Sequence, residues 1–367
     1  MPTSASIDAP RILPRSAHPI SRRDIDRNAL KVLYRLHRAG YRSYVVGGGV
    51  RDLMLRQRPK DFDIATNARP KEIRRLFNNS RIIGRRFRLV HVYFREGVIE
   101  VSTFRRDPDP EQQKFGPDDP LITDDNIFGT AGEDAFRRDF TINALFYDIA
   151  DYSVIDYVGG IDDLEHQIVR TIGDAEVRLQ EDPVRMVRAC EFAGRLGFGI
   201  EEHTQRAIHA LARQIERGAP SRLTEELVQL LRSGSAGPAM QWMLELELLD
   251  HFLPEAKAML VRRTTADLGG MIPALDRAMA AGRELSDAAV VAAVLLPEVI
   301  RRARERSRGR TSDLKAAAFR DIVQGDRGIV ANRPAPHVRL HLHLEQHQHV
   351  DAKFLRLFSQ IFFGADP

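Results

Sequence analysis

Asp61 and Asp63 stand two residues apart in the run Lys60-Asp61-Phe62-Asp63. Residues i and i+2 of a strand share a face, so this spacing aims two carboxylates at one point and turns Phe62 toward the core. Carboxylates held that close repel unless a cation lies between them, and hard oxygen ligands of this kind suit Mg²⁺. Upstream, Tyr44 to Val46 reads as an apolar strand that runs into Gly47-Gly48-Gly49 and then Arg51. A glycine turn offers backbone N–H groups to phosphate, and a guanidinium matches phosphate geometry. A plain surface turn with two solvated acids leaves this combination unexplained. The run Gly-Gly-Gly-Val-Arg-Asp also lacks the G-x-G-x-x-G spacing of a dinucleotide-binding turn.

A third carboxylate has a first candidate in Glu100. Two strands, Leu89 to Phe94 and Val98 to Phe104, flank the turn Arg95-Glu96-Gly97. In the second strand Glu100 and Ser102 share one face, with Ile99, Val101 and Thr103 on the other. A carboxylate amid apolar residues is costly to bury without a cation or hydrogen-bond partners, which makes Glu100 a possible metal ligand. An acid facing water is the alternative.

The elements that must position these groups follow from periodicity. Residues 1 to about 20 show prolines, small residues and no apolar repeat, and are expected to form a mobile tail. Ser21 reads as the N-cap of a helix carrying Ile25, Ala29, Val32, Leu33 and Leu36, ended by Gly40 and packed behind the first strand. Thr66 to Pro70 forms a turn into a short helix with Pro70 in its first turn and Ile73, Leu76 and Phe77 buried. Asp107 to Glu133 is a long acidic loop. Arg137-Arg138-Asp139-Phe140-Thr141-Ile142-Asn143 follows, then a hairpin around Phe146 to Tyr157 and the pair Gly159-Gly160. Beyond Asp162 the chain reads as helical. Asp182 is the expected N-cap and Pro183 the first residue of a helix that projects Arg185 and Arg188 together and turns Met186, Val187 and Phe192 inward. Further helices are expected around 202–217, 221–233 and 237–250.

The bulk numbers bound the classes. The 367 residues suffice for two or three domains, and 43% hydrophobic with 29% charged residues is an ordinary soluble composition. The longest apolar run, Ala288 to Leu296, is too short for a bilayer, and the N-terminus has no signal-peptide pattern. One cysteine, Cys190, excludes an internal disulfide and fits a reducing cytoplasm. The net charge of +4 conceals a division. Residues 22–106 hold 22 basic against 8 acidic side chains, and residues 107–148 hold 3 against 11. So basic a block, almost all arginine, fits a polyanionic partner. Arg301 to Arg310 is a second basic run. Among five histidines in 337–349, His343 and His347 have helical metal-ligand spacing, although such clusters are commonly surface residues.

The series G-G-G-V-R-D, K-D-F-D, R-R-D-F-T-I-N-A-L and E-D-P-V-R-M-V-R resembles the motif series of the class II template-independent nucleotidyltransferases, the bacterial poly(A) polymerases and tRNA CCA-adding enzymes. The resemblance covers roughly residues 18 to 235. Arg81 to Val92 and the entry segment H-P-I-S-R-R-D-I at 18–25 are similar to the poly(A) polymerase branch. The resemblance implies an α+β fold, a nucleotidyltransferase head (21–158) with a small mixed β-sheet, followed by an all-α neck (159–220) and body (221–367). It implies that Asp61 and Asp63 hold two Mg²⁺ ions, that Gly48, Gly49 and Arg51 contact the triphosphate of ATP, and that Arg138, Asp139 and Asn143 contact its sugar and phosphates. Glu181, Asp182 and Arg185 would read the base, with Arg188 beside them on the nucleotide-binding helix. Asp139 then competes with Glu100 as third catalytic carboxylate.

The implied activity is transfer of AMP from ATP to single-stranded RNA 3′ ends with release of pyrophosphate, in the cytoplasm and without a membrane partner. CCA addition to tRNA is the first alternative, and a catalytically silent RNA-binding scaffold the second. Two departures stand out. Where the family continues its helix with a further arginine, this chain has Glu191, preceded by Cys190, and the last part is short and lacks a long basic tail. Weaker or more salt-sensitive RNA binding is therefore expected. No His-Asp dyad of an appended phosphohydrolase is apparent.

Overall fold

The computed structural model describes residues 9–84, 88–106, 127–254, 256, 257, 260 and 271–295. The chain divides into two compact units, Met1–Glu181 and Asp182–Pro367.

The first unit is built on one sheet of eight strands. They are β1 (Arg11–Leu13), β2 (Ser43–Val46), β3 (Asp63–Thr66), β4 (Ser80–Ile83), β5 (Leu89–Phe94), β6 (Gly97–Thr103), β7 (Leu145–Asp148) and β8 (Val154–Asp156), in the order β1-β8-β7-β2-β3-β6-β5-β4. Every neighbouring pair is antiparallel except β3 and β6, which run parallel with Ile64 opposite Val101. That pair requires a crossover, supplied by helix α3 (Pro70–Leu76) and the β4–β5 hairpin. The sheet is thus mixed, as expected. Helix α1 (Arg27–Arg38) buries Ala29, Val32, Leu33 and Leu36 against β2 and β3, and Gly40 follows it at φ 85°, the left-handed geometry glycine adopts without strain. A second cluster joins Tyr44, Val46, Phe104 and Phe146 with Ile155 and Ile172.

Three expectations are corrected. From residue 9 the chain is no tail: β1 pairs with β8, and His18 and Ile20 are buried. A three-residue edge strand between prolines leaves no periodicity to detect. Helix α1 starts later than Ser21 allows, because Ser21 caps only a 3-10 turn at Arg22–Asp24. The helix itself is capped by Asp26, whose carboxylate accepts from the N–H groups of Asn28 (2.8 Å) and Ala29 (3.0 Å). The units also part after Glu181 rather than at 158, because helix α5 (Gly160–Glu165) is fixed to the head. A Cβ on Gly160 would lie 2.2 Å from the Thr141 carbonyl oxygen, and Thr141 donates to Asp163 at 2.6 Å. Most of the long acidic loop (107–126), Arg85 to Phe87, the Arg301–Arg310 run and the histidine cluster lie outside the described residues. Residues 131–136 of the head form helix α4 (Ala131–Phe136), closed by a reciprocal cap of Thr130 and Glu133.

The second unit is helical. Helix α7 (Val184–Leu196) leads, after α6 (Ala175–Glu181) ends the first unit. It buries Met186, Val187 and Phe192 as predicted. Then come α8 (Glu202–Leu211), α9 (Pro220–Arg232), α10 (Ala236–Glu245), α11 (Leu248–Phe252) and α12 (Met271–Ala280). Helices α7 and α10 approach so closely that a Cβ on Gly194 would stand 2.4 Å from the Ala239 nitrogen.

Candidate active site

Asp61, Asp63 and Glu100 line one cleft of about 1240 Å³ in the first unit. Strand pairing brings them together. Asp63 opens β3 opposite Val46 of β2, and the parallel register of Ile64 with Val101 puts Glu100 beside Asp63. Asp61 lies just before β3 rather than in it, so the shared-face argument holds for an extended approach and not for a paired strand. Its position is set by Gly49, where a Cβ would stand 3.3 Å from the Asp61 carbonyl oxygen and 3.6 Å from the ring of half-buried Phe62.

The electrostatics of this group are strained. Asp63 meets solvent through the cleft but is crowded by protein atoms. Burial pushes its carboxyl up to about 6, Glu100 and then Asp61 add to the rise, and Arg138 opposes it. Of the two sequence readings of Glu100, a buried acid or one facing water, its exposure fits the second. Its side chain is 48% exposed and pairs with His91 at 3.2 Å across β5. Among the described residues, no three acidic, imidazole or thiol side chains are clustered closely enough to hold a metal ion by themselves.

Behind the cleft, Gly47 takes φ 69° and is followed directly by helix α2 (Gly48–Met54). The glycine turn is thus a helix start, whose first N–H groups have no preceding turn to accept them. Arg51 does not reach out from it. This residue is 2% exposed, ion-paired with Asp52 at 2.7 Å, and donates from Nη1 to Asn143 Oδ1 at 2.5 Å. Asn143 in turn donates to Asp139 Oδ1 at 3.2 Å, an oxygen that also accepts from the Phe140 N–H at 2.8 Å. Arg51, Asn143 and Asp139, expected to touch the nucleotide, are bonded to one another, and the buried Arg51–Asn143 pair ties α2 to the 3-10 turn Thr141–Asn143. Arg138 donates to Asp134 (3.1 Å) and to the Asn143 carbonyl (3.3 Å), with its guanidinium 5.4 Å from the Phe146 ring centroid. Of the two candidates for third carboxylate, Glu100 shares the cleft of the Asp pair and Asp139 does not line it.

Glu181 accepts from Arg178 at 2.8 Å, and the same guanidinium donates to the carbonyls of Arg137 (2.7 Å) and Arg138 (3.0 Å). Sequence reasoning missed Arg178: one arginine on a short helix carries no signal that it staples a segment 40 residues away. In the second unit, Asp182 does not cap α7 with its side chain. It accepts a two-pronged bond from Arg222 (2.9 and 2.8 Å), and only its carbonyl receives the Arg185 N–H at 3.1 Å. Arg188 donates to Glu226 at 2.9 Å. Glu191 is ion-paired with Arg195 one turn on, at 2.9 Å, so its charge is neutralised within its own helix. Cys190 is buried and its thiol is pushed far up by burial, which leaves it unreactive.

Residues 43–170 match the family described as "Poly A polymerase head domain", and residues 197–260 the one described as "Probable RNA and SrmB- binding site of polymerase A". Poly(A) polymerase I of Salmonella typhi is 50% identical over 248 residues, 66% of this chain and 53% of that protein. The CCA-adding enzyme of Bacillus velezensis is 35% identical over 221 residues, 60% of this chain and 54% of that protein. The Bacillus stearothermophilus CCA-adding enzyme in complex with CTP superposes with a TM-score of 0.58 at 26% identity, over 81% of this chain and 78% of that one. The chain belongs to the poly(A) polymerase and CCA-adding nucleotidyltransferase superfamily.

It spans about half the length of the curated relatives it matches. The structure gathers Asp61 and Asp63 of the motif series into one cleft with Glu100, which lies outside that series, and sets Arg138 close enough to act on Asp63. Of the other head-motif residues, Lys60 and Phe62 also line the cleft, while Arg51, Asn143 and Asp139 hold one another. His91 was also missed, although it lies inside the Arg81–Val92 segment that carries the resemblance to poly(A) polymerases.

Proposed function

We propose that this chain transfers AMP from ATP to the 3′ end of single-stranded RNA and releases pyrophosphate. One observation carries the reading: Asp61, Asp63 and Glu100 line one cleft, where burial, then Glu100 and Asp61, push the Asp63 carboxyl up to about 6. Such a group is uncomfortable as it stands, and divalent cations would relieve it. The Asp pair therefore fits Mg²⁺, which is commonly held by one or two carboxylates completed by water and substrate phosphates: Asp61 and Asp63 would be its holders, and Glu100 the third carboxylate of the cleft. When bound, a pair of Mg²⁺ ions lowers the barrier to deprotonating a hydroxyl and neutralises charge on the transferring phosphate.

In the transfer, the RNA 3′-oxygen bonds to the α-phosphorus while the bond to pyrophosphate breaks, and the hydroxyl proton passes to solvent water. Gly48 and Gly49 offer N–H groups to the triphosphate, and Arg138 supplies positive charge. Arg51, Asn143 and Asp139 act by holding that turn in place. Base recognition is assigned to Glu181, Asp182 and Arg185, with Arg188 beside them, from the motif. Higher identity to poly(A) polymerase I (42 to 50%) than to CCA-adding enzymes (35 to 37%) supports ATP as the sole nucleotide. The lone buried cysteine fits the cytoplasm, and no helix among the described residues is long and apolar enough to cross a membrane.

The test is incubation of the purified protein with Mg²⁺, an end-labelled RNA and each NTP singly. The expected product is a long ladder with ATP alone. Addition confined to two C residues and one A on truncated tRNA would establish the CCA-adding alternative. Asp61→Asn should abolish addition and leave the circular dichroism spectrum unchanged. Extension by that variant would refute the metal role, and no extension by the unaltered protein would favour the silent scaffold.

A further inference from the structure

The cleft that holds the Asp pair is also lined by cations that the mechanism above does not use. Arg23 reaches it from the segment leading into α1, Arg27 from the first position of α1, and Arg56, Arg58 and Lys60 from the loop between α2 and β3. All five are exposed. Among the described residues, none of their side chains takes a hydrogen bond, ion pair or ring contact, whereas Arg51, Arg138 and Arg178 of the same unit are all engaged. The acids among them are partly committed. Asp26 caps α1 and Glu96 accepts from Asn28, while Asp24 remains on the rim. Unpaired arginines around a cleft are poised for an anion that is not part of the chain.

Arg56 adds an independent observation. Helix α2 ends with the Gln57 N–H bonded to the Asp52 carbonyl (2.8 Å) and the Arg56 N–H bonded to the Leu53 carbonyl (3.1 Å). That is a Schellman closure, whose penultimate position demands the left-handed backbone and is best filled by glycine. Arg56 adopts it, at φ 58°. A long β-carbon-bearing side chain is strained there, and strain of this kind points to a use for the side chain.

The anion is not the triphosphate of the incoming nucleotide. The glycine turn assigned to that group opens α2 and Arg56 follows its end, so a seven-residue helix, about 10 Å of axis, separates them. Asp61 lies at the glycine end, held against Gly49. We propose that Arg23, Arg27, Arg56 and Arg58 form a track for the backbone phosphates of the RNA nucleotides just upstream of the 3′-hydroxyl, leading that end to Asp61 and Asp63. The proposal rests on the RNA-extending reading for the identity of the polyanion, but its test does not depend on catalysis.

The experiment is fluorescence anisotropy of the full chain with a 3′-terminal oligoadenylate hexamer, without ATP or Mg²⁺, over a series of salt concentrations. Arg56→Gly combined with Arg58→Gln should weaken binding about tenfold and flatten the slope of log K against log salt by about 1.4, since each lost contact to single-stranded RNA contributes about 0.7. Arg56→Gly alone should raise Tm while weakening binding, because glycine relieves the left-handed strain; a purely structural arginine would not separate those two readouts. Unchanged affinity and slope in the double variant, or no binding of the hexamer by the unaltered protein, would overturn the track. A protein that binds the hexamer in this arginine-dependent way yet never extends it would retain the track and lose the polymerase reading. An extending protein indifferent to both substitutions would do the reverse.

Discussion

At Asp63 burial and two neighbouring carboxylates act in one direction, and the sign of the consequence can be worked out. The folded value of about 6 lies above the ordinary 3.8, so between those two pH values the folded chain binds more protons than the unfolded one. Stability of the metal-free protein should therefore fall as pH rises from 3.8, with the penalty complete above 6. Asp63→Asn removes the charge, and should stabilise the metal-free protein at pH 7.5 by about 1 kcal/mol, a figure reduced because the group meets solvent. Added Mg²⁺ should raise Tm of the unaltered protein and not of this variant; the opposite ranking in a thermal melt would remove the cation from the site. Asn143 gives a second residue-scale prediction. Asn143→Ala deprives Arg51 Nη1 of its acceptor at a buried position, and should destabilise by about 1–3 kcal/mol in urea titration. Little or no loss would mean that Arg51 does not depend on that acceptor. The Asp pair was legible because spacing alone encodes it. The inward direction of Arg51 was not, since its partner lies 92 residues away and nothing local announces the contact.

At the scale of elements, legibility followed length and periodicity. Helix α1, strands β5 and β6 and the β7–β8 hairpin carry repeats of 3.6 or 2 over enough residues to be read. The short edge strands β1 and β4 do not, since three or four residues hold barely two turns of any pattern. The start of α1 was misplaced because Ser21 and Asp26 are both competent caps, and the choice between them depends on packing. The entry segment is the clearest case. His18 Nε2 bonds to the Tyr152 carbonyl at 2.8 Å, its ring meets Tyr147 edge-on at 5.9 Å, and Ile20 is 1% exposed. Ile20→Ala should therefore cost about 2–4 kcal/mol, measured by chemical denaturation. A tail residue would change stability by less than 0.5 kcal/mol, and a result in that range would return residues 9–20 to the tail.

For the whole molecule, the sequence conveyed an α+β head followed by helices, but not where the head ends. The motif series implied a break near 158, and the compact unit runs on to Glu181 through contacts of Gly160, Asp163 and Arg178 that no periodicity encodes. Each unit has its own buried core, which makes a lesion in one separable from a readout in the other. The chain has one tryptophan, Trp242, on α10 of the second unit, three residues from Ala239. Gly194→Ala would drive a methyl group into the backbone of Ala239, at 2.4 Å from its nitrogen. Helices α7 and α10 must then move apart, and overpacking of this kind costs about 1–3 kcal/mol. Tryptophan fluorescence should register that loss as an earlier unfolding transition. A Mg²⁺-induced rise in Tm, if it arises at Asp61 and Asp63 of the first unit as proposed, should persist in the variant. An unmoved fluorescence transition would refute the close α7–α10 contact, and loss of the Mg²⁺ response with it would mean that the two units melt as one cooperative body.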